Sequence, residues 1–441
     1  MFLQIMFFTL SYALLKEKIT PYEVTLPVNL LGGEYTFRTY TQGTFSVRLY
    51  PSSDAKNNYY IGYTDTNGLG TVIKVKAKTN TILRTDKFTG YSVRGLTVKD
   101  DGSYGVFLWD TKTSLIYFRK VDAVGKEVYT KNLDLRNQSI PSSIVAEDDK
   151  GFGVGDSRLN YGNGTFHLYT HVHSDSGHED MGVGCSHMTS GLQGWNSKTN
   201  TMIHICDSDA FPAFGMFAEN SKTYILYSHI ANKGGYSGGE LGGVVENGDG
   251  WLLIMNSITP EAVYDGNPVN TPNGVQDIGV VSIGKDKKRT KVTFIKKNAQ
   301  TKNNGCIAKY GDKFLVGYTE DKTNFYLGTI DASATIKDQF EEVTGVTGWG
   351  DRDDSFRSLN SGNIFWVKAP QNKGNKLIIY EFNTAGTVDP TPDPKPEPEP
   401  EPKPEHSEAS EHSSDGHNGE INNKANVVYL SLFVGIILML I

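Results

Sequence analysis

The middle of the chain is written in short apolar runs that alternate with polar positions and stop at polar turns. Residues 71–78 are typical. Ile73, Val75 and Ala77 alternate with Lys74, Lys76 and Lys78, which predicts a strand with one buried and one wet face. Nowhere in the middle do apolar residues recur at i, i+3 and i+4 over three helical turns. The chain between its two ends is therefore expected to be all-β.

The runs also repeat. Asp100-Asp101-Gly102-Ser103-Tyr104-Gly105-Val106 matches Asp148-Asp149-Lys150-Gly151-Phe152-Gly153-Val154 without a gap, and Asn247-Gly248-Asp249-Gly250-Trp251-Leu252-Leu253 carries the same turn followed by an aromatic strand. Tyr60 to Asp65 likewise resembles Leu315 to Glu320. A second landmark is an alternating strand ending in a polar turn, found at Ile73 to Asn80, Phe118 to Gly125, Leu327 to Ala334 and Tyr380 to Gly386, with weaker copies at His171 to Gly177 and Ile230 to Gly235. Strand starts fall near Tyr60, Tyr104, Phe152, Met202, Trp251, Phe314 and Ile364, a spacing of about 50 residues, the length of a four-stranded blade.

This pattern resembles a β-propeller, seven-bladed on the spacing with six or eight as alternatives, over residues 25–382. The strands before Tyr60 are expected to complete the last blade. Blades packed face to face bury surfaces that one sheet alone leaves wet. Residues 256–276, with Pro260, Pro268 and Pro272, predict a long loop between two strands. A pair of β-sandwiches is the other all-β architecture, and it does not produce this spacing.

The ends follow different rules. Residues 1–13 form an uncharged apolar stretch closing on Ser11-Tyr12-Ala13, which predicts a signal peptide cleaved after Ala13. Residues 14–388 form the expected propeller domain. Residues 389–426 form a stalk and polar spacer. Proline at every second position from Pro390 to Pro404 forbids helix and sheet and predicts an extended, disordered rod of about 45 Å. Residues 427–441 are wholly uncharged. They are shorter than the roughly 20 residues of a spanning helix and lack basic residues beyond them. Small residues around Ser414, a polar spacer and this tail fit a glycolipid (GPI) attachment signal with Ser414 as the site, and a short transmembrane tail is the alternative. The whole resembles secreted or cell-surface propeller proteins with a GPI-type C-terminal signal, which implies display on the outer leaflet of the plasma membrane.

Charge narrows the partners. Residues 389–424 carry ten acidic residues and three lysines, a net charge of −7 that equals the net charge of the whole chain. The domain is thus formally neutral, without the basic field that nucleic acid requires. The expected partners are the membrane, through a lipid anchor, and an extracellular glycan or protein. Three cysteines exclude a disulfide scaffold. Cys185 and Cys206 are spaced to bridge, with two buried thiols as the alternative. Asn137 and Asn163 head glycosylation sequons.

Candidate chemistry gathers in one stretch. Seven of the ten histidines fall between His167 and His229. His171, His173, His178, Glu179 and His187 are candidate ligands for a divalent metal, the one cofactor the sequence suggests. The same segment reads equally as ordinary strand and turn, since none of its spacings is a metal signature. His171, His173, His187, Trp195, Asp207 and Asp209 are candidate ligand-binding residues of an irregular region, with Trp195 a ring for stacking on a sugar or for packing between blades. Trp349 and Asp351 form a similar aromatic-acidic loop. Sialidase-like enzymes also combine propellers with Asp-containing turns, but the turn at Asp100 to Tyr104 departs from theirs. There is no phosphate loop or HExxH motif, and no catalytic residue is assigned. The leading expectation is a non-enzymatic adhesin or receptor. A surface hydrolase or metal-dependent enzyme using residues 167–229, and a structural coat protein, are the alternatives.

Overall fold

The computed structural model describes residues 14–30, 49–110, 112–113, 115–133, 157–162, 165–170, 191–206, 214–219, 222–227, 240–258, 276–296, 302–320, 324–346, 356–369 and 374–385. All lie in the first of the two units into which the chain divides, which ends at Asp389.

After a single 3-10 turn at Leu15–Lys18, strand β1 covers Ile19–Thr25. The described residues then form seven sheets. The first contains β2 (Tyr50–Ser53), β3 (Tyr59–Thr64), β4 (Gly70–Val75) and β5 (Ile82–Phe88). The second contains β6 (Tyr91–Val98), β7 (Tyr104–Asp110), β8 (Ile116–Val121) and β9 (Glu127–Leu133), and the third β10 (Ser157–Gly162) and β11 (Thr165–Thr170). The fourth contains β12 (Gly191–Asn196), β13 (Thr201–Cys206), β14 (Phe214–Glu219) and β15 (Lys222–Tyr227). The fifth contains β16 (Glu240–Asn247), β17 (Gly250–Ile258), β18 (Gln276–Ile283) and β19 (Arg289–Lys296). The sixth contains β20 (Lys302–Tyr310), β21 (Lys313–Glu320), β22 (Asn324–Ile330) and β23 (Ile336–Glu342), and the seventh β24 (Arg357–Ser358), β25 (Ile364–Lys368) and β26 (Lys376–Phe382).

Within each four-stranded sheet, sequence order is spatial order, an antiparallel meander, except that the fourth strand of the last sheet is β1. It pairs along β26 from Ile19 opposite Phe382 to Thr25 opposite Lys376. First strands of successive sheets pack together, β2 with β6, then β10, β12, β16, β20 and β24 in turn. Arg357 on β24 closes the circuit by donating Nε to the Pro51 carbonyl on β2 at 3.2 Å. This is a β-propeller whose ring is closed by a strand from the start of the chain, and it excludes the sandwich pair.

The core lies between blades. One apolar cluster joins Val24, Phe365 and Leu377 of the last blade to Tyr59, Ile61 and Ile73 of the first. Others join the first to the second, the fourth to the fifth, the fifth to the sixth and the sixth to the last. The second strand of a blade is consequently covered on both faces. All six residues of β3 are buried, and Trp251 on β17 and Trp366 on β25 are at most 1% exposed. Each such side chain contributes about 1.5–3 kcal/mol through removal from water.

The structure corrects three expectations. The wet face predicted for residues 71–78 is absent: β4 ends at Val75, and Thr71, Val72, Ile73 and Val75 are all buried because blades cover both of its faces. Alternation belongs instead to outermost strands such as β5, where half-buried and exposed positions interchange up to buried Phe88. The ring starts at Ile19 instead of Thr25, and of the strands before Tyr60 only β1 completes the last blade, β2 opening the first. In the third blade β10 packs beside the first strands β6 and β12, so its second strand starts at Thr165; Phe152 lies outside the described residues.

Candidate functional site

The two ends of this ring are constructed differently. In a meander, the turns joining first to second and third to fourth strands lie at one end. Connections from second to third strand, and from one blade to the next, leave from the other. Among the described residues, turns of the first kind are short, and several are closed by local hydrogen bonds. Asp54 Oδ1 accepts from the amides of Lys56 at 3.0 Å and Asn58 at 2.9 Å, with Asn57 at φ 62°. The Lys99 amide donates to the Ser103 carbonyl at 2.8 Å, with Gly102 at φ 85°, where a Cβ would meet the Tyr60 hydroxyl at 2.8 Å. Leu359 and Asn363 close the corresponding turn of the last blade.

Neighbouring turns are bonded to one another. The Ala55 amide donates to the Asp100 carbonyl at 3.1 Å, the Ser361 amide to Asn57 Oδ1 at 3.0 Å, and Asn360 Nδ2 to the Ala55 carbonyl at 3.2 Å. Across the ring, fully buried Asn196 donates Nδ2 to the carbonyls of Gly248 at 3.1 Å and Gly250 at 2.8 Å.

Beneath these turns run buried polar clusters. Asp54, its side chain 3% exposed, pairs with Lys74 Nζ at 3.1 Å and accepts from Asn58 Nδ2 at 2.9 Å. Burial works to raise the Asp54 pKa, but the Asn58 and Lys74 contacts outweigh it and hold the carboxyl below its ordinary value. Tyr104 donates to Asp86 Oδ2 at 2.7 Å. Burial first, and Asp86 second, push its hydroxyl pKa far up, so it remains a donor. Tyr59 donates to Glu381, which also accepts from Asn363 Nδ2 at 2.6 Å, fastening the first blade to the last.

At this end a cavity of about 500 Å³ opens between the last, first and second blades. Its walls are Ser52 and Ser53 at the end of β2, Thr97 and Val98 at the end of β6 with the adjoining Lys99, Asp100 and Asp101, and Arg357 and Ser358 of β24. Lys99 Nζ stands 3.5 Å from Asp101. Hydrogen bonds from Ser103, reinforced by Lys99, hold the Asp101 carboxyl below its ordinary value. This site was not selected from the sequence, because its walls come from segments near residues 52, 100 and 357. The one available signal was Asp100-Asp101-Gly102, which reads as a turn.

No protein-family model matches the chain, and no curated protein matches it. Solved structures resemble it in fold alone. YCF48 bound to D1 peptide is 10% identical, with a TM-score of 0.41, covering 82% of this chain and 96% of its own. YCF48 from Cyanidioschyzon merolae is 10% identical, with a TM-score of 0.39, covering 78% and 99%. A mutant of AofleA from Arthrobotrys oligospora is 8% identical, with a TM-score of 0.38, covering 82% and 93%.

Of the positions selected from the sequence, Trp195 and Cys206 fall on described strands. Trp195 sits half-buried on β12, opposite Met202, beside the short turn that starts at Asn196. The irregular region is thus strand from Gly191 to Asn196 and again from Thr201 to Cys206, which includes His204. His171, His173, His178, Glu179, Cys185, His187, Asp207, Asp209, Trp349, Asp351, Asn137, Asn163 and Ser414 lie outside the described residues, as do the weaker repeat copies at 171–177 and 230–235. Cys306 is a buried thiol on β20. Among the described residues no group of three or more His, Cys, Asp or Glu side chains is placed to hold a metal, and no helix is long and apolar enough to cross a membrane.

Proposed function

We propose that the chain is a non-enzymatic adhesin or receptor, a propeller displayed at the cell surface that binds an extracellular glycan or protein at the end opposite its short turns. One observation carries this reading, the division of labour between the two ends. β11 ends at Thr170 and β12 starts at Gly191; β13 ends at Cys206 and β14 starts at Phe214; β17 ends at Ile258 and β18 starts at Gln276; β23 ends at Glu342 and β24 starts at Arg357. The last three are second-to-third or blade-to-blade junctions, and the first interval runs from the second strand of the third blade to the opening strand of the fourth. Nearly all the residues selected for ligand binding fall in such connections, which a rigid scaffold is suited to carry. The stalk and the lipid-anchor signal expected from residues 389–441 supply the display.

The test is binding of the purified protein to a glycan array and to cells, with residues 259–275 and, separately, 207–213 replaced by short Gly/Ser connectors. Binding should fall at least tenfold in one of these folded variants. Unchanged binding in both, or no binding by the parent, overturns the reading. Replacing His171 and His187 together distinguishes the enzymatic alternative, which requires a measurable hydrolytic activity to vanish with them. Release of the protein from intact cells by a phosphatidylinositol-specific phospholipase tests the anchor.

A further inference from the structure

We propose that β9, the outermost strand of the second blade, is an interface between two copies of this chain, which pair edge to edge across a two-fold axis. The inference stands on described residues of that blade and is independent of what the long connections bind.

Three observations single out this strand. The first is its unused edge. β9 pairs with β8 from Glu127 opposite Val121 to Leu133 opposite Ile116, and among the described residues no strand pairs with its other side. Such an edge presents a row of backbone donors and acceptors that a further strand completes. The second is exposure. Every residue from Glu127 to Asn132 is exposed, with Val128 at 58% and Tyr129 at 44%. By contrast β1 buries Val24, β5 buries Phe88, and β23 keeps Ile336, Asp338, Phe340 and Glu341 half-buried. Tyr129 is nevertheless oriented, because its ring lies against Phe118, 6.3 Å between centroids, with Lys120 Nζ over it at 5.0 Å.

The third observation is the order of charges, and it chooses the partner. When two identical strands pair antiparallel across a two-fold axis, one residue lies opposite itself and the others pair symmetrically about it. Centred on Tyr129, Glu127 of each copy faces Lys131 of the other, Val128 faces Thr130, and the two Tyr129 residues meet at the axis. Centred on Thr130, Glu127 faces Leu133 and Lys131 faces Tyr129, so no charge is matched. Opposite charges and aromatic or β-branched pairs across a ladder contribute about 0.2–1 kcal/mol each, and like charges directly opposite destabilise it. Arg119 engages only Oε2 of Glu127, at 2.8 Å, and a carboxylate has acceptor sites to spare for a lysine of the second copy. The other edges whose side chains are described are less suited to themselves. β19 carries Arg289, Lys291 and Lys296 with no anion, and β1 contains Pro21. On β5 and β23 the charges that would match are already engaged, Arg84 with Asp86 and the Ala123 carbonyl, Lys337 with Asp331, and Glu341 with the Lys16 amide. Each copy offers one β9, so the association closes at a dimer and does not propagate.

The experiment uses the purified full chain in detergent, which keeps residues 427–441 from associating, and reads sedimentation velocity over a concentration series. The parent should dimerise with a dissociation constant on the order of 100 μM, as a short ladder with little apolar area allows. Glu127→Lys and Lys131→Glu each set like charges opposite one another at two points, and either alone should weaken the dimer about tenfold or more. Mixed together, the two variants should associate as the parent does, because each of these positions on one chain then faces the opposite charge on the other. The double variant, Glu127→Lys with Lys131→Glu, should likewise regain the dimer. The proposal is overturned if the parent stays monomeric up to about 1 mM, if either single variant associates as well as the parent, or if mixing the two restores nothing. Should a charge reversal fail to fold, Lys131→Gln takes its place, with an expected loss of about threefold. The variant with residues 259–275 replaced should dimerise unchanged, which separates failure here from failure of the display reading.

Discussion

The two ends of the ring encode structure at different ranges. At the short-turn end, described turns are completed by side chains within a few residues, such as Asp54, Thr79 and Asn196, and several of these turns bond to their neighbours around the axis. At the other end, consecutive described strands are separated by stretches of sequence as long as residues 259–275. The first end is therefore where stability is concentrated, and the second is where sequence can vary without disturbing the core. Substitutions sharpen or break this comparison according to the end they touch.

The largest effect is expected from Gly250→Ala. Gly250 opens β17 straight after a short turn, and a Cβ there would lie 2.0 Å from the Ile283 carbonyl oxygen. Backbone cannot yield as a flexible side chain does, so the fifth blade would have to reopen between β17 and β18. The cost should be about 3 kcal/mol or more. Denaturant unfolding checks it. A loss under about 1 kcal/mol would show that this end is looser than its hydrogen bonds suggest.

That concentration of local chemistry is also what made the fold legible. Tyr60, Tyr104, Met202, Trp251, Phe314 and Ile364 fall on β3, β7, β13, β17, β21 and β25, six second strands. A second strand is buried on both faces and follows a tight polar turn, so its signal is a compact apolar run with a clear start. Less legible were strands at the margins. β1 contains Pro21 and buries only Val24 fully, as an outermost strand does, and β24 has two residues. Residues 71–78 misled because the lysines that looked like a wet face include Lys74, which is held by Asp54, while Lys76 and Lys78 belong to the turn beyond β4. The cavity at the short-turn end escaped notice for another reason. Its residues are brought together by ring closure, which no local pattern records.

A middle-sized effect with a pH signature is expected from Asp54→Asn. The substitution keeps the shape of the side chain but removes the charge facing Lys74, for a loss of about 1–2 kcal/mol at pH 7. Because the folded-state pKa of Asp54 is lowered, its contribution is complete above the unfolded value near 4 and disappears as pH falls through the folded value. Burial alone would lower the pKa of Lys74, but Tyr60 and Asp54 raise it further than burial lowers it. Its share is therefore present at neutral pH and lost only as pH rises beyond about 10. The stability gap between parent and Asp54→Asn should be flat from about pH 5 to 9 and close on acidification below about 4. A gap that stays constant to pH 2 would mean that Asn58, and not charge, holds the turn.

The smallest effect belongs to the other end. Replacing residues 259–275 by about six Gly and Ser residues leaves β17 and β18 joined, with Ile258 opposite Gln276 as the last pair of their ladder. Loop-closure entropy changes by only about 0.6 kcal/mol for each halving of length, in the stabilising direction, so the unfolding free energy should move by less than about 1 kcal/mol. The comparison of the two ends depends on this near-silence. If shortening this connection destabilised the ring as much as Gly250→Ala does, the connection would be part of the scaffold, and the case for placing the ligand there would go with it. If stability holds while binding to cells is lost, the two ends are separable, one for holding the ring together and one for what it meets.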